Sequence, residues 1–115
     1  MKLIKIVESV NAFQKLAEID LPIQTSFIVS DILFKIEDKI NNYNQQKNKL
    51  IQKFGTTEDG INYNFTDDNK IKFIKELEEL NNLDINLDVD KINLPNDIKV
   101  APNILYNLYD FIERG

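Results

Sequence analysis

Apolar residues recur at helical spacing without a break from residue 25 to residue 55, a long stretch for a chain of 115 residues. Steps of three and four residues connect positions that match the a and d sites of a heptad repeat, with Val29 one step upstream. These positions, which we call the seam, are Leu33, Ile36, Ile40, Tyr43, Lys47, Leu50 and Phe54. The pattern predicts one long helix.

The length of the predicted helix bears on what the seam contacts. At 1.5 Å per residue, about thirty residues span roughly 45 Å, more than a compact domain of this size needs across its core. Two interpretations follow. Either the shorter helices of the chain cover the seam entirely, or part of the seam contacts another protein chain.

The middle of this helix is much more polar than its two ends. Residues 41 to 49 read NNYNQQKNK, in which Tyr43 is the only large apolar side chain and Lys47 occupies a seam position. A polar residue in a seam weakens the contact while it fixes register or partner number, and asparagine is a poor helix former. We expect this stretch either to project into water or to lie in an interface that tolerates polar groups.

Particular residues mark the expected ends of the long helix. Pro22 disfavours helical geometry at Leu21, which predicts a tight link before the helix. Thr25 or Ser26 is then expected to cap its first turn, and Gly55 to end it in the left-handed conformation.

Three shorter helices are predicted beside the long one. Residues 6 to 19 carry apolar side chains at helical spacing, and a second segment of about fifteen residues follows a cap at Thr66 or Asp67. We expect this second segment to pack antiparallel against the long helix. A terminal helix is predicted to start at or near Pro102 and to end at Gly115.

Two segments alternate apolar and polar residues instead, which is typical of half-buried strands. One contains Ile61, Tyr63 and Phe65 after a turn at Asp59-Gly60, and the other is LDINLDV, residues 83 to 89. The predicted fold class is α+β and predominantly helical: a long central helix packed with two or three shorter helices, plus a small two- or three-stranded antiparallel sheet. We expect residues 1–115 to form a single domain.

The composition argues against catalysis. The chain has no histidine and no cysteine, so the commonest general base, the thiolate nucleophile and the usual transition-metal ligands are absent. Its three glycines cannot be arranged into a phosphate-binding loop. The carboxylates between residues 67 and 79 fall on a helix surface beside lysines, which does not produce the separated pKa values that glycoside hydrolysis requires. We expect no catalytic residue, no cofactor and no small-molecule substrate.

One segment has the spacing of a metal site. The first four ligand positions of an EF-hand calcium loop are matched by Asp84, Asn86, Asp88 and Asp90. However, Val89 stands where that loop requires glycine, and Pro95 stands where it requires a bidentate glutamate. A solvated strand face explains the alternation, so no metal site is predicted, with weak divalent-ion binding as the alternative.

Charge and hydropathy narrow the range of partners. A formal charge of −5 argues against a general nucleic-acid binder, which usually has a basic excess. No run of about eighteen apolar residues is present, so we expect no membrane span. The N-terminal residues lack the apolar run of a signal peptide, so we expect an intracellular protein.

The order of these features resembles a family of small proteins encoded by tailed bacteriophages of low-GC hosts. The resemblance covers most of the chain and is carried by FQKLAEIDLPIQTSF, LIQKFG, EDG, FIKELEELNN, LDINLDVDKINL and APNILYNLYDFIE. It implies a virus-encoded protein without enzymatic activity, and it does not by itself place the protein in the virion. We expect the protein in the host cytoplasm during synthesis, with the virion as a further location.

Two functional classes are therefore open. The first, which we favour, is a non-enzymatic structural or assembly protein that uses the long helix and an exposed strand edge to contact other subunits of a phage particle or other copies of itself. The second is a small acidic regulator or inhibitor of a host enzyme. Neither class involves nucleic acid or a membrane as a partner.

Overall fold

The computed structural model describes residues 1–113, and helices dominate it. Four α-helices occur within these residues, followed by a single 3₁₀ turn at Tyr109–Phe111. The helices are α1 (Leu3–Ala17), α2 (Ile23–Phe54), α3 (Asp67–Asn81) and α4 (Pro102–Asn107). The predicted long helix with three shorter ones is therefore confirmed. The last helix ends at Asn107, so its predicted extent to Gly115 is wrong; Gly115 itself lies outside the described residues.

Helix α2 sets the shape of the molecule. Its 32 residues extend for about 48 Å at the usual rise. The molecule measures 52 × 27 × 23 Å, so α2 runs along almost the whole of its long axis. The radius of gyration is 17.5 Å, whereas a compact chain of this length has a value of about 13 Å. The protein is an elongated body built around one rod.

The core lies against the first half of α2. Helix α1 buries Ile6, Phe13 and Leu16 against Val29, Ile32 and Ile36 of α2, and Ile92, Leu108 and Phe111 complete this cluster. The ring of Phe13 meets that of Phe111 edge to face, with centroids 4.8 Å apart. Burying each such side chain contributes about 1.5–3 kcal/mol, so this end of the molecule supplies most of the stability.

Helix α3 packs against the second half of α2. Lys53 of α2 forms an ion pair with Glu76 at 3.2 Å, and the Tyr43 hydroxyl donates a hydrogen bond to Asn81 Oδ1 at 2.7 Å. Positions along α2 therefore fall as positions along α3 rise, so the two helices are antiparallel as predicted. The predicted cap is also found, since Thr66 Oγ1 accepts a hydrogen bond from the Asn69 N–H at 3.3 Å.

The two ends of α2 differ from the prediction. The helix begins at Ile23, directly after Pro22, so Thr25 and Ser26 lie inside the helix and do not cap it. Gly55 has φ −93° and ψ 159°, an extended conformation that any residue adopts. Its lack of a side chain matters for space instead, because a Cβ there would lie 2.7 Å from the carbonyl oxygen of Ile51.

The predicted antiparallel sheet is wrong, and with it the α+β class. Among residues 1–113 there are only isolated bridges, which pair Lys2 with Asp84, Thr56 with Asn64 and Ile92 with Ile112. The turn at Asp59-Gly60 does form, with Gly60 at φ +77°. Its arms form one pair, Thr56 with Asn64, and Ile61, directly after the turn, is 81% exposed.

The second predicted strand has the expected burial pattern but no partner strand. Ile85, Leu87 and Val89 are half-buried against the core, and the residues between them are exposed. An extended chain that lies on a core produces this alternation. The surfaces beneath are the start of α1 and the side of α2, so the apolar face is covered without a sheet.

Candidate protein-interaction surface

The structure places the seven seam residues against the protein's own chain. Ile36 and Tyr43 are buried, while the other five are half-buried. At the start of the seam, the fully buried residue is Ile32, and the predicted seam residue Leu33, one position later, is only half-buried. The contacts on this side of α2 come from α1 and α3. The first of the two interpretations therefore accounts for the greater part of the seam.

Tyr43 anchors the polar middle of α2. Its ring shares a small cavity with Leu3, Leu80, Leu83 and Ile85, and its hydroxyl is bonded to Asn81. Burial raises the pKa of this phenol, and the Glu8 carboxylate raises it further. The rest of the stretch is exposed apart from half-buried Lys47. Residues 41 to 49 therefore touch their own chain on one side and solvent on the others.

The exposed apolar groups of α2 lie on the opposite face, in its first half. Ile23, Phe27 and Phe34 are 83%, 74% and 76% exposed, and we call them the outer stripe. At about 100° per residue they fall within about 40° of one another around the helix. The buried residues of α2 lie about 180° away. The stripe is thus a second apolar face of the same helix.

A groove runs beside the outer stripe, between α2 and the alternating segment, by which we mean residues 83–90. Its volume is about 730 Å³, and its walls include Phe34, Asp38, Leu87 and Asp88. Lys35 bridges its floor, because its ammonium lies 3.2 Å from the Asp31 carboxylate and donates to the backbone oxygen of Asp88 at 2.7 Å. The groove is open to solvent along one side of the molecule.

The carboxylates of the alternating segment give this region a negative outer face. Asp84, Asp88 and Asp90 are all exposed. The N-terminal ammonium lies 2.7 Å from Asp84 and lowers the pKa of that carboxyl, first by hydrogen bonding and then by its charge. The four oxygen-bearing residues of the EF-hand-like spacing therefore face solvent from an extended chain. Within residues 1–113, no group of three or more acidic side chains is arranged to hold a metal ion.

A second cavity lies at the junction of α1 with the last turns of the chain. It is lined by Lys5, Glu8, Tyr106 and Asp110, among others. Lys5 and Asp110 form an ion pair at 3.7 Å in which both side chains are more than a third exposed. Such pairs contribute little, so this cavity is a surface feature of the packing.

In the part of the chain that the structure describes, no helix is long and apolar enough to cross a bilayer.

Seam spacing alone did not identify the outer stripe. Its residues lie four and seven positions apart, so a helical projection of residues 23 to 54 groups them on one face. The same projection also groups the buried residues on the other face. Periodicity therefore locates two apolar faces, and only the packing of α1 and α3 decides which one is covered.

Comparison of the chain with models of protein families, with curated protein sequences and with solved structures gives no match. The functional argument therefore rests on the residues and their arrangement.

Proposed function

We propose that this protein is a non-enzymatic assembly protein that acts through protein–protein contacts made by the exposed side of α2. The observation that carries the proposal is the outer stripe. Its three large apolar side chains are exposed together on the longest helix, and no other segment within residues 1–113 covers them. Large exposed apolar groups that share one face of a helix are typical of interaction surfaces.

The shape of the molecule supports the same proposal. A 52 Å body with a helix along almost its full length offers a long, straight contact surface relative to its mass. Helix packing of this kind recurs in protein assemblies. Large exposed rings are also the side chains that contribute most at interfaces, since aromatic residues dominate interface energies.

We further propose a phage particle as the setting of these contacts, with other phage structural proteins or other copies of this chain as the partners. This part rests on the sequence resemblance alone. The alternative, an acidic regulator of a host enzyme, rests on the negative outer face of the alternating segment. The two make different predictions about where the protein is found.

The test measures the mass of the protein in solution and its presence in purified particles from cells that carry the gene. We expect a complex or a particle-bound protein, and we expect the double variant Phe27→Ser/Phe34→Ser to be lost from it while it stays folded. A matched control replaces Gln45 and Gln52, exposed residues farther along the same face, with serine. A stable monomer absent from the particles would contradict the proposal, and inhibition of an enzyme by that monomer would support the alternative.

A further inference from the structure

We propose that the groove between α2 and the alternating segment binds an extended segment of a partner protein, one that alternates basic and apolar residues and pairs with the backbone at Asn86 and Asp88. This inference rests on the proposed function, because it specifies the partner chemistry of the same exposed side of α2. It assigns a partner to the second edge of the alternating segment, whose N–H groups its own chain leaves unpaired.

Two backbone N–H groups of the alternating segment are unpaired where it borders the groove. The N–H groups of Asn86 and Asp88 donate to no protein group within residues 1–113. One strand edge that lacks a partner is a template for pairing with another chain. The neighbouring residue Ile85, in contrast, is paired on the side away from the groove, with its N–H bonded to the Met1 carbonyl at 2.8 Å.

Three hydrogen bonds show which backbone groups face the groove. In an extended chain, the N–H and C=O of one residue point to the same edge, and those of the next residue point to the opposite edge. Both backbone groups of Ile85 contact Met1, which places the odd-numbered residues on that edge. The Asp88 carbonyl accepts from Lys35 of α2, which places the even-numbered residues on the groove edge.

The charges select the partner. Side chains directly opposite each other on paired strands attract when their charges are opposite and repel when they are alike. Asp84 is already paired with the N-terminal ammonium, but Asp88 and Asp90 occupy the outer face with no ion-pair partner among residues 1–113, so basic residues of an incoming strand are favoured opposite them. The apolar residues of that strand, which point inward, then lie on the ring of Phe34 and on Leu87, which wall the groove.

The same charges disfavour a second copy of this chain as the occupant. An antiparallel pairing of the alternating segment with itself must keep apolar residues opposite apolar ones. In the registers with the greatest overlap, this sets aspartate opposite aspartate, as in Asp84 opposite Asp90 or Asp88 opposite Asp88. Like charges at such positions are destabilising.

The probe is a blocked eight-residue peptide of alternating lysine and valine, and the readout is calorimetric or fluorescence binding to the full chain. We expect it to bind at least about tenfold more tightly than the glutamate–valine peptide of the same length. Pairing uses the amides on one edge of the peptide, and these belong either to the lysines or to the valines. N-methylation of the set on the pairing edge is expected to weaken binding about tenfold. N-methylation of the other set is expected to change binding by no more than about threefold. Loss of two neutral hydrogen bonds corresponds to a change of this size.

Two phenylalanines of α2 provide the matched variants. Phe34→Ser removes the ring that walls the groove, and we expect it to weaken peptide binding about tenfold or more. Phe27→Ser removes an equally exposed ring of the same helix outside the groove, and we expect no change. Circular dichroism confirms that both variants are folded. Asp88→Asn is expected to weaken binding and to reduce its dependence on salt.

Several outcomes would overturn the inference. The first two are that the lysine–valine peptide does not bind at about 1 mM, or that it binds no more tightly than the glutamate–valine peptide. The other two are that both methylation patterns change peptide binding equally, or that Phe27→Ser and Phe34→Ser do so. Self-association that Phe34→Ser abolishes would identify a second copy as the occupant and would also overturn it. None of these outcomes changes the particle measurement, so a failure here is distinguishable from a failure of the proposed function.

Discussion

The two halves of α2 belong to one continuous helix, yet their surfaces differ. In the first half, residues 23 to 36, the inner face is buried under α1 and the outer face carries the outer stripe. In the second half the inner face has one buried side chain, Tyr43, and the same outer line continues as Asn41, Gln45, Asn48 and Gln52, all exposed. On the outer face of the second half, the exposed residues are polar, as expected for a face in contact with solvent. The large apolar residues on the outer face of the first half differ from this pattern, which favours a contact surface there.

The largest expected difference between the halves is in stability. Ile36→Ala removes a fully buried side chain from the core, and we expect it to lower the free energy of unfolding by about 2–5 kcal/mol. Leu50→Ala removes a half-buried side chain from the second half, so a loss of about 1 kcal/mol is expected. Urea denaturation of both variants measures the comparison. Equal losses would show that the second half is as tightly packed as the first.

The next effect concerns the anchor of the second half. Tyr43→Phe keeps the ring and removes the hydroxyl that bonds to Asn81, so we expect a loss of about 1 kcal/mol. The variant Asn81→Ala and the double variant complete a thermodynamic cycle, and their effects should not add. Additive effects would mean that this hydrogen bond does not couple α2 to α3.

A smaller effect of opposite sign is expected on the solvated face. Asn44→Ala and Asn48→Ala replace a poor helix former with a good one at exposed positions, so each should raise the free energy of unfolding by about 0.5 kcal/mol. Thermal denaturation followed by circular dichroism measures the gain. A loss at either position would indicate that its amide makes a contact in the folded protein.

The smallest expected effect lies in the turn that follows α2. The N–H groups of Asn62 and Ile61 donate to the Asp59 carboxylate and lower its pKa from 3.8 to about 2. Since the folded-state pKa is depressed, this contribution to stability is complete above the unfolded pKa and is lost as pH falls from about 4 to 2. Amide NMR shifts of residues 61 and 62 should follow this titration, and Asp59→Asn should remove it. Shifts that change only above pH 4 would contradict the depressed pKa.

The sequence was sufficient for the helices because their stability follows from periodic burial. Apolar spacing located α1, α2 and α3, and Pro102 and Thr66 marked two of the starts. The sheet could not be obtained in the same way, because alternation shows which side chains of residues 83 to 89 face a core and not what pairs with the backbone. The outer stripe needed the packed structure too, since α2 is apolar on two faces and α1 covers only one.

The length of α2 also governs how the protein behaves in a hydrodynamic measurement. A compact chain with the observed radius of gyration of 17.5 Å would contain about 230 residues. That is about twice the 115 residues of this chain. A monomer will therefore leave a gel-filtration column where a globular dimer is expected. Copy number must come from light scattering or from sedimentation equilibrium, in which mass is independent of shape.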